Sequence, residues 1–360
     1  MQIGIVGLPF SGKSTLFQTM TRTHLDEGGG HRQQANIAMV RVPDTRVDTL
    51  ATYFHPKKNV YTSIEFVDVV GLKKGDRDST QFTNAFLANV KTNDALIHVV
   101  RRFDDPLYPH PEGGIDPLRD ISILETEFIL GDMAMAEGRI GKLKQQILKT
   151  QDEKSKHELT VLEKCLYALE NEKPLRTLTL DPNEKKLIRG YQFLSEKPLL
   201  AVLNLDEAGI TESGTIVPDV QSRVEASGIV VDAFSGKVEM ELAQLSDEDA
   251  AAFMADYGIT ESALVRIIRS AYRMLGLISF LTAGEDECRA WTIRRGENAQ
   301  EAAGAIHTDL MTKFIRSEVV HYEDFVKYGS MGACKEHGAW RLEGKEYIVR
   351  DGDILNIRHG

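Results

Sequence analysis

The chain has 360 residues, of which 42% are hydrophobic and 27% charged, as in an ordinary globular protein. This length predicts two or three domains rather than one core. The net charge of −11 argues against a generally basic nucleic-acid binder, although a local basic face is still compatible with it. No apolar run approaches the roughly 20 residues needed to span a bilayer, and the N-terminus leads directly into a strand with no signal peptide, so we expect a cytoplasmic protein. Three widely spaced cysteines without a C-x-x-C pattern indicate a reducing compartment and no metal knot.

The chain begins with a buried strand over Ile3–Val6, a glycine-rich turn and the start of a helix. The turn, Gly7–Thr15, reads G-x-x-x-x-G-K-[ST], the phosphate-binding P-loop, and its strand and helix flanks argue against a chance turn. Backbone N–H groups and the helix N-terminus would bind the phosphates. Lys13 would reach the β- and γ-phosphates as a catalytic residue, and Ser14 would ligate Mg²⁺. We assign nucleotide binding in this loop to Gly7, Phe10, Ser11, Gly12, Lys13, Ser14 and Thr15.

Two strands and two loops follow the P-loop helix. The polar segment 21–36 is where the first switch of a nucleotide-dependent protein would lie, and strands are predicted over 37–42 and within 60–70. The second strand ends in D-x-x-G, in which Asp68 would hold Mg²⁺ through water and the Gly71 N–H would contact the γ-phosphate; a plain strand-end turn is the alternative. Leu72 stands where many GTPases have a water-orienting Gln, so hydrolysis is slow or another residue orients the water.

Two histidines fall near the next strand, predicted over 95–100. His98 lies within it, which favours a hydrogen-bonded core histidine over a catalyst. His110 lies between two prolines in the loop 101–120, and from chemistry alone it reads as a solvated loop residue.

From residue 121 the apolar spacing becomes helical. Two heptad-like stripes separated by a polar turn at 151–156 predict an antiparallel helical hairpin; the stripe residues are Ile129, Met133, Ala136, Ile140, Leu143, Ile147, Leu159, Leu162, Leu166 and Leu169. The pair Asp181-Pro182 would then cap a helix that runs to Leu194.

A strand over 198–203 ends in Asn204-Leu205-Asp206-Glu207, where GTPases carry N-K-x-D. The aspartate of that motif binds N1–H and the 2-amino group of guanine, and Glu207 is one methylene longer. We therefore expect weak guanine selection and the use of ATP, with Asn204, Leu205 and Glu207 at the base. After a strand over 228–232 comes the expected base-packing loop, Ser235-Gly236-Lys237.

The last part of the chain is predicted as a helix over 260–279 followed by a small α+β domain of about 80 residues. Within it we expect strands over 289–293, 340–342, 347–349 and 354–357, and one helix over 298–314. Asp351-Gly352 would form the hairpin between the last two strands.

These motifs together closely resemble the YchF/Obg-like ATPase family of translation-factor-related P-loop NTPases. The resemblance rests on Gly7–Thr15, on 66–72, on His98-Val99-Val100-Arg101, on 204–207 and on two C-terminal runs, 289–292 and 340–353. It covers essentially the whole chain.

The resemblance implies an α/β fold with three parts. These are a Ras-like P-loop domain (1–120 plus 195–277), an inserted antiparallel helical hairpin (121–194) and a C-terminal TGS domain of β-grasp fold (278–360). It also implies hydrolysis of ATP in preference to GTP and ribosome binding. Family members lack the catalytic Gln and are thought to use a histidine in a mobile loop, which His110 matches in its spacing.

The chain departs from the family pattern at three places. Residues 32–36 replace a Thr-Ile-x-Pro-Asn stretch and keep only Asn36, and residues 73–79 replace a Gly-rich second switch. Phe10-Ser11 stands where the family has Asn-Val.

The sequence thus predicts a monomeric, Mg²⁺-dependent ATPase or GTPase that binds a purine nucleoside triphosphate and, by resemblance only, the ribosome or RNA. It predicts no membrane association. The alternatives are a scaffold that binds nucleotide with little or no hydrolysis, or a GTP-binding protein. A P-loop kinase fits less well, because the D-x-x-G and the base-reading strand end are typical of switch proteins.

Overall fold

The computed structural model describes residues 1–21, 36–69, 84–150 and 152–360. The predicted first switch loop, apart from its ends, lies outside these ranges, as do Gly71, Leu72 and the second switch. Contacts group the described residues into two compact units, 1–39 with 65–267 and 40–64 with 268–360. The predicted three-part division, with the hairpin as a domain of its own, stays a prediction.

The described ranges contain twelve strands and fourteen α-helices. In chain order the strands are β1 Gln2–Val6, β2 Asn36–Arg41, β3 Lys58–Val60, β4 Ser63–Asp68, β5 Ala95–Arg102, β6 Leu199–Leu205, β7 Ile229–Phe234, β8 Leu277–Ala283, β9 Glu287–Arg294, β10 Phe314–His321, β11 Arg341–Glu343 and β12 Asp353–His359. The helices are α1 Lys13–Thr21, α2 Thr45–Phe54, α3 Asn84–Lys91, α4 Pro117–Thr150, α5 Glu153–Glu170, α6 Pro182–Ile188, α7 Glu207–Val224, α8 Gly236–Leu242, α9 Asp247–Asp256, α10 Ala263–Met274, α11 Ala299–Ile306, α12 Thr308–Thr312, α13 Tyr322–Tyr328 and α14 Met331–Glu336.

The first unit is built on a sheet of strand order β2-β4-β1-β5-β6-β7. The pairs β1–β4, β1–β5, β5–β6 and β6–β7 are all parallel. Strands β5 and β6 are buried almost throughout, which explains their continuous apolar runs. Because parallel strands end at the same edge, the residues that follow β1, β4, β5, β6 and β7 are brought together there.

The predicted helical hairpin is confirmed as α4 and α5, with a shorter turn than expected. The carboxylate of Asp152 caps α5 by accepting from the Ser155 backbone N–H at 3.0 Å, so residues 153–156 are helical rather than part of the turn. All the stripe residues except Ile147 belong to the apolar seam between the helices.

The helix predicted over 182–194 starts as expected and stops early. Asp181 and Glu184 form a capping box at its N-terminus. The helix ends at Ile188, because residues 189–191 tighten into a 3₁₀ turn and Gln192 adopts a left-handed conformation with φ of 51°.

The second unit contains a mixed sheet of strand order β11-β10-β12-β8-β9-β3. Helices pack on it through two apolar clusters, one around Phe325 and one around Phe280. Strand β3 joins this sheet by parallel pairing with β9, so a short segment of the N-terminal sequence contributes to the C-terminal unit.

Several predictions in the last part of the chain are wrong in detail. The predicted helix over 260–279 is α10, which ends at Met274, and the residues from Leu277 onward enter β8 instead. The predicted helix over 298–314 is broken at His307, whose extended backbone separates α11 from α12, and β10 follows. Residues 347–349 form only an isolated bridge from Ile348 to Asn298, so Asp351-Gly352 does not join two strands.

Within the described ranges, no helix combines the length and the apolar character that crossing a membrane requires.

Candidate nucleotide-binding site

The P-loop is held by two glycines whose positions no other residue could take without displacement. Gly7 has φ of 149°, and a Cβ there would lie 2.4 Å from the Val99 carbonyl oxygen. Gly12 has φ of 96°, and a Cβ there would lie 2.2 Å from the Asn204 amide nitrogen. Each glycine is therefore required both for its backbone conformation and for a close approach from β5 or β6.

Lys13 lies at the start of α1 and folds back over the loop. Its Nζ donates to the carbonyl oxygens of Gly7 at 2.9 Å and Leu8 at 2.8 Å. Burial lowers the pKa of Lys13 to about 8, and the nearby Asp68 carboxylate opposes this shift. The same burial raises the pKa of Asp68, against the charge of Lys13 and a hydrogen bond from Asn36. Lys13 and Asp68, which are assigned from separate motifs, thus lie close enough for each charge to affect the pKa of the other.

The predicted metal ligands, Ser14 and Asp68, suit Mg²⁺ in their chemistry. Ser14 is exposed at the N-terminus of α1, and Asp68 ends β4 at the same edge of the sheet. A hydroxyl and a carboxylate are hard oxygen donors, and Mg²⁺ usually binds to one or two such groups plus the substrate phosphates. Ser14 and Asp68 would therefore hold the ion, which would neutralise phosphate charge. Within the described ranges no cluster of three or more His, Cys, Asp or Glu suited to a metal occurs.

Asn204 joins the P-loop to the predicted base-packing loop. Its Nδ2 donates to the Ser11 carbonyl at 3.0 Å, and its Oδ1 accepts from the Gly236 N–H at 3.0 Å. The side chain is buried in the protein. A Cβ on Gly236 would lie 3.0 Å from the Thr15 methyl group, so α1 and α8 begin side by side. Asn204 therefore holds the P-loop and the predicted base-packing loop together.

The residues expected at the base differ in how far their side chains reach solvent. Glu207 opens α7 and pairs with Lys237 at 2.5 Å, both side chains being substantially exposed. This carboxylate raises the pKa of Lys237. Leu205 is buried in the core, and Ser235 is buried with a hydroxyl that has no partner among the described residues. The assignment of Leu205 and Ser235 to nucleotide binding stays a prediction.

His110 is not the solvated residue that its loop position suggests. Its side chain is only 5% exposed. Its Nε2 lies 2.9 Å from the Asp120 carboxylate, and its Nδ1 accepts from the Glu112 N–H at 3.1 Å. Nε2 therefore carries the proton and donates to Asp120. Arg119 pairs with the other oxygen of Asp120 at 2.8 Å. Arg119 and Asp120 are not predictable from the sequence as partners of this histidine, because no motif marks them.

His98 is a core residue as predicted, but it is not hydrogen-bonded to any described residue. The side chain is fully buried, and both ring nitrogens lack a partner in the part of the chain that the structure describes. Burial, reinforced by Lys13, lowers the pKa of His98 to about 3. The imidazole is therefore neutral, and it lies under the P-loop, close to Gly7.

Several buried polar atoms near this edge of the sheet are also unpaired among the described residues, which is unusual for a protein interior. They are Ser11 Oγ, Arg101 Nη2, Ser235 Oγ and the two His98 nitrogens. These atoms lie around the P-loop, within β5 and after β7, the part of the sheet that carries the nucleotide motifs.

Two family models match the chain. The model for a 50S ribosome-binding GTPase matches residues 2–164, and the model for the C-terminal domain of YchF GTPases, described as a protein of unknown function, matches residues 277–360. The ribosome-binding ATPase YchF of Haemophilus ducreyi is 41% identical over 357 residues, 99% of this chain and 98% of that protein. The YchF proteins of Bacillus subtilis and Escherichia coli O157:H7 are 38% and 40% identical, each over 98% of its length.

The chain belongs to the YchF family. The solved structure of the Schizosaccharomyces pombe YchF GTPase agrees with this membership, with a TM-score of 0.86 and 32% sequence identity over 99% of this chain and 97% of that one. This similarity confirms the predicted fold class, an α/β P-loop NTPase with a helical hairpin and a C-terminal TGS domain.

Proposed function

We propose that this chain is a Mg²⁺-dependent purine nucleoside triphosphatase that prefers ATP to GTP, turns over slowly and acts as a ribosome-associated switch in the cytoplasm. The observation that carries the proposal is the convergence of Gly12, Lys13, Asp68 and Asn204 at one edge of the parallel sheet. Its YchF relatives are named ribosome-binding ATPases, which supports the same activity and partner. We infer further that the hairpin, 121–194, and the TGS domain, 278–360, present the partner surfaces of a monomer.

The base preference follows from the end of β6. A guanine-selective site needs a short carboxylate that accepts from N1–H and the 2-amino group together. Glu207 is longer, and its carboxylate is tied to Lys237 at 2.5 Å. We infer that the adenine ring binds beside Asn204 and the loop 235–237 without a carboxylate fork, so that ATP is favoured.

The proposed chemistry is in-line attack of water on the γ-phosphate. Lys13 and the helix N-terminus stabilise the negative charge that develops on the phosphate oxygens, and Ser14 and Asp68 hold the metal. His110 orients the attacking water. In the described arrangement both of its nitrogens are engaged, so His110 must leave Asp120 and Glu112 before it can take part. This requirement accounts for slow turnover.

Calorimetric titration with non-hydrolysable ATP and GTP analogues, with and without Mg²⁺, tests the binding part of the proposal. We expect tighter binding of the ATP analogue, strengthened by Mg²⁺. Lys13→Ala should abolish measurable affinity, whereas Lys142→Ala, at an exposed position of α4, should not change it. Glu207→Asp should move the preference toward GTP. Unchanged affinity in Lys13→Ala, or tighter GTP binding by the parent chain, would contradict the proposal.

A second candidate function is a nucleotide-binding scaffold without hydrolysis. It is favoured by Leu72 in place of a water-orienting Gln and by the buried pairing of His110 with Asp120. The scaffold predicts that bound ATP stays intact through a single-turnover experiment in the parent protein.

A further inference from the structure

An aromatic contact links the P-loop to the loop that carries His110. We call residues 103–116, between β5 and α4, the histidine loop. The rings of Phe10 and Tyr108 lie with their centroids 5.3 Å apart and their planes tilted by 30°. This is the separation at which aromatic pairs attract each other. The phosphate-binding segment and the histidine loop therefore touch through side chains that no phosphate chemistry requires.

Phe10 holds an uncommon backbone conformation. Its φ is 62°, in the left-handed region, where a bulky aromatic residue is strained and Asn is tolerated far better. Strain of this kind persists only where the surroundings compensate for it. The contact with Tyr108 is a stabilising interaction that an aromatic ring at position 10 provides.

Arg101, on β5, also anchors the histidine loop. This buried side chain donates from Nε to the Phe103 carbonyl at 3.1 Å and from Nη1 to the Tyr108 carbonyl at 2.7 Å. Its guanidinium carbon lies 4.6 Å from the centre of the Phe103 ring. Because Arg101 pairs in register with Asn204 on β6, the anchor is part of the rigid sheet. The Tyr108 backbone is thereby fixed with its ring against Phe10.

The contact lies two residues before His110, which is turned away from solvent and held by Asp120 and Glu112. A displacement of the loop backbone that carries His110 away from Asp120 also pulls on Tyr108, two residues earlier. Tyr108 is fixed at its carbonyl by Arg101 and at its ring by Phe10, so both contacts resist that movement.

We propose that the contact between Phe10 and Tyr108 is a latch that keeps the histidine loop in the arrangement in which His110 is unavailable, and that it thereby restrains hydrolysis. The inference rests on the proposed function in requiring His110 to take part in turnover. Tyr108 is a positioning residue in this scheme, acting through the loop and not on the reacting atoms. The latch connects the P-loop, the proposed phosphate site, with the loop that carries the proposed water-orienting group.

The test replaces the Tyr108 ring and measures two quantities in the full chain. Tyr108→Leu keeps the backbone carbonyl that Arg101 holds and removes the aromatic pair. Leu107→Ala is the matched control, because Leu107 lies in the same loop and is 83% exposed. We expect Tyr108→Leu to raise the single-turnover rate of ATP hydrolysis by about 2- to 12-fold, the factor that corresponds to losing one aromatic pair if loop opening precedes chemistry. Amide hydrogen exchange in 103–116 should accelerate by a similar factor, and Leu107→Ala should change neither quantity.

A double-mutant cycle with Phe10→Leu assigns the effect to the contact itself. The double variant should be no faster than Tyr108→Leu alone, because either substitution already breaks the pair. Unchanged exchange in Tyr108→Leu, or additive effects in the cycle, would overturn the latch. Faster exchange with an unchanged or lower hydrolysis rate would instead overturn the role of His110 and leave the contact in place. A large loss of nucleotide affinity in Tyr108→Leu would show that the rings serve the nucleotide rather than the loop.

Discussion

Replacing Asn204 with alanine should destabilise the first unit, 1–39 with 65–267, much more than the loss of one side-chain amide elsewhere. The amide makes two buried hydrogen bonds, one to the Ser11 carbonyl and one from the Gly236 N–H, each 3.0 Å long. Asn204→Ala leaves both backbone groups without this partner inside the protein. A buried group left unsatisfied costs about 1–3 kcal/mol, so the two together predict a loss of about 2–6 kcal/mol.

The assay must report on this unit alone. Both tryptophans, Trp291 and Trp340, belong to the other unit, so intrinsic tryptophan fluorescence would not follow the effect. Amide hydrogen exchange of β1 and β6 gives the local free energy of opening directly. Asn171→Ala is the matched control, because Asn171 is exposed and its amide donates to one carbonyl, that of Tyr167. Equal losses of protection in the two variants would refute the bridging role assigned to Asn204.

Three further predictions concern the P-loop and the hairpin. Without nucleotide, Lys13 has a pKa of about 8 in the folded chain and 10.5 in the unfolded chain, so the unfolded chain binds more protons between these pH values. The free energy of unfolding should therefore increase as the pH rises from about 8 to 10.5. Since phosphate raises this pKa again, nucleotide binding at pH 8 should take up about half a proton, measurable by calorimetry in buffers of different ionisation enthalpy, and almost none at pH 6.5. Gly12→Ala should abolish nucleotide binding, while Gly113→Ala, with φ of 80° but open space around it, should cost only the backbone strain of about 1–2 kcal/mol in thermal unfolding. Arg176→Met should destabilise the chain by about 3–5 kcal/mol in denaturant unfolding, because it leaves the buried carboxylate of Glu125 unpaired, and Glu125→Gln combined with it should recover part of the loss.

The parallel sheet and the P-loop could be predicted from sequence because their signals are local. Apolar runs such as 199–203 are long enough to identify buried strands, and the fixed positions of Gly7–Thr15 define both a turn and a binding chemistry. The helical hairpin could also be predicted, from the spacing of its apolar residues. Its turn is shorter than predicted because Asp152 caps α5.

The parts that sequence reasoning missed depend on contacts between distant residues. The sequence predicts no strand over 315–321, and the predicted helix ends at the first residue of β10, because only the pairing with β11 and β12 makes this segment a strand. The burial of His110 depends on Asp120 in the first turn of α4, and the loop composition gives no sign of it. The bridging role of Asn204 likewise requires Ser11 and Gly236 to meet, which the order of motifs along the chain does not reveal.

Single-turnover hydrolysis of ATP with Mg²⁺, followed as phosphate release, tests whether this chain hydrolyses ATP with the help of His110. It compares the parent chain with His110→Ala and with His157→Ala, a substitution at an exposed histidine of α5. We expect slow hydrolysis by the parent and by His157→Ala, and a much lower rate in His110→Ala with nucleotide affinity retained. Intact ATP in the parent chain, or an unchanged rate in His110→Ala, would contradict it.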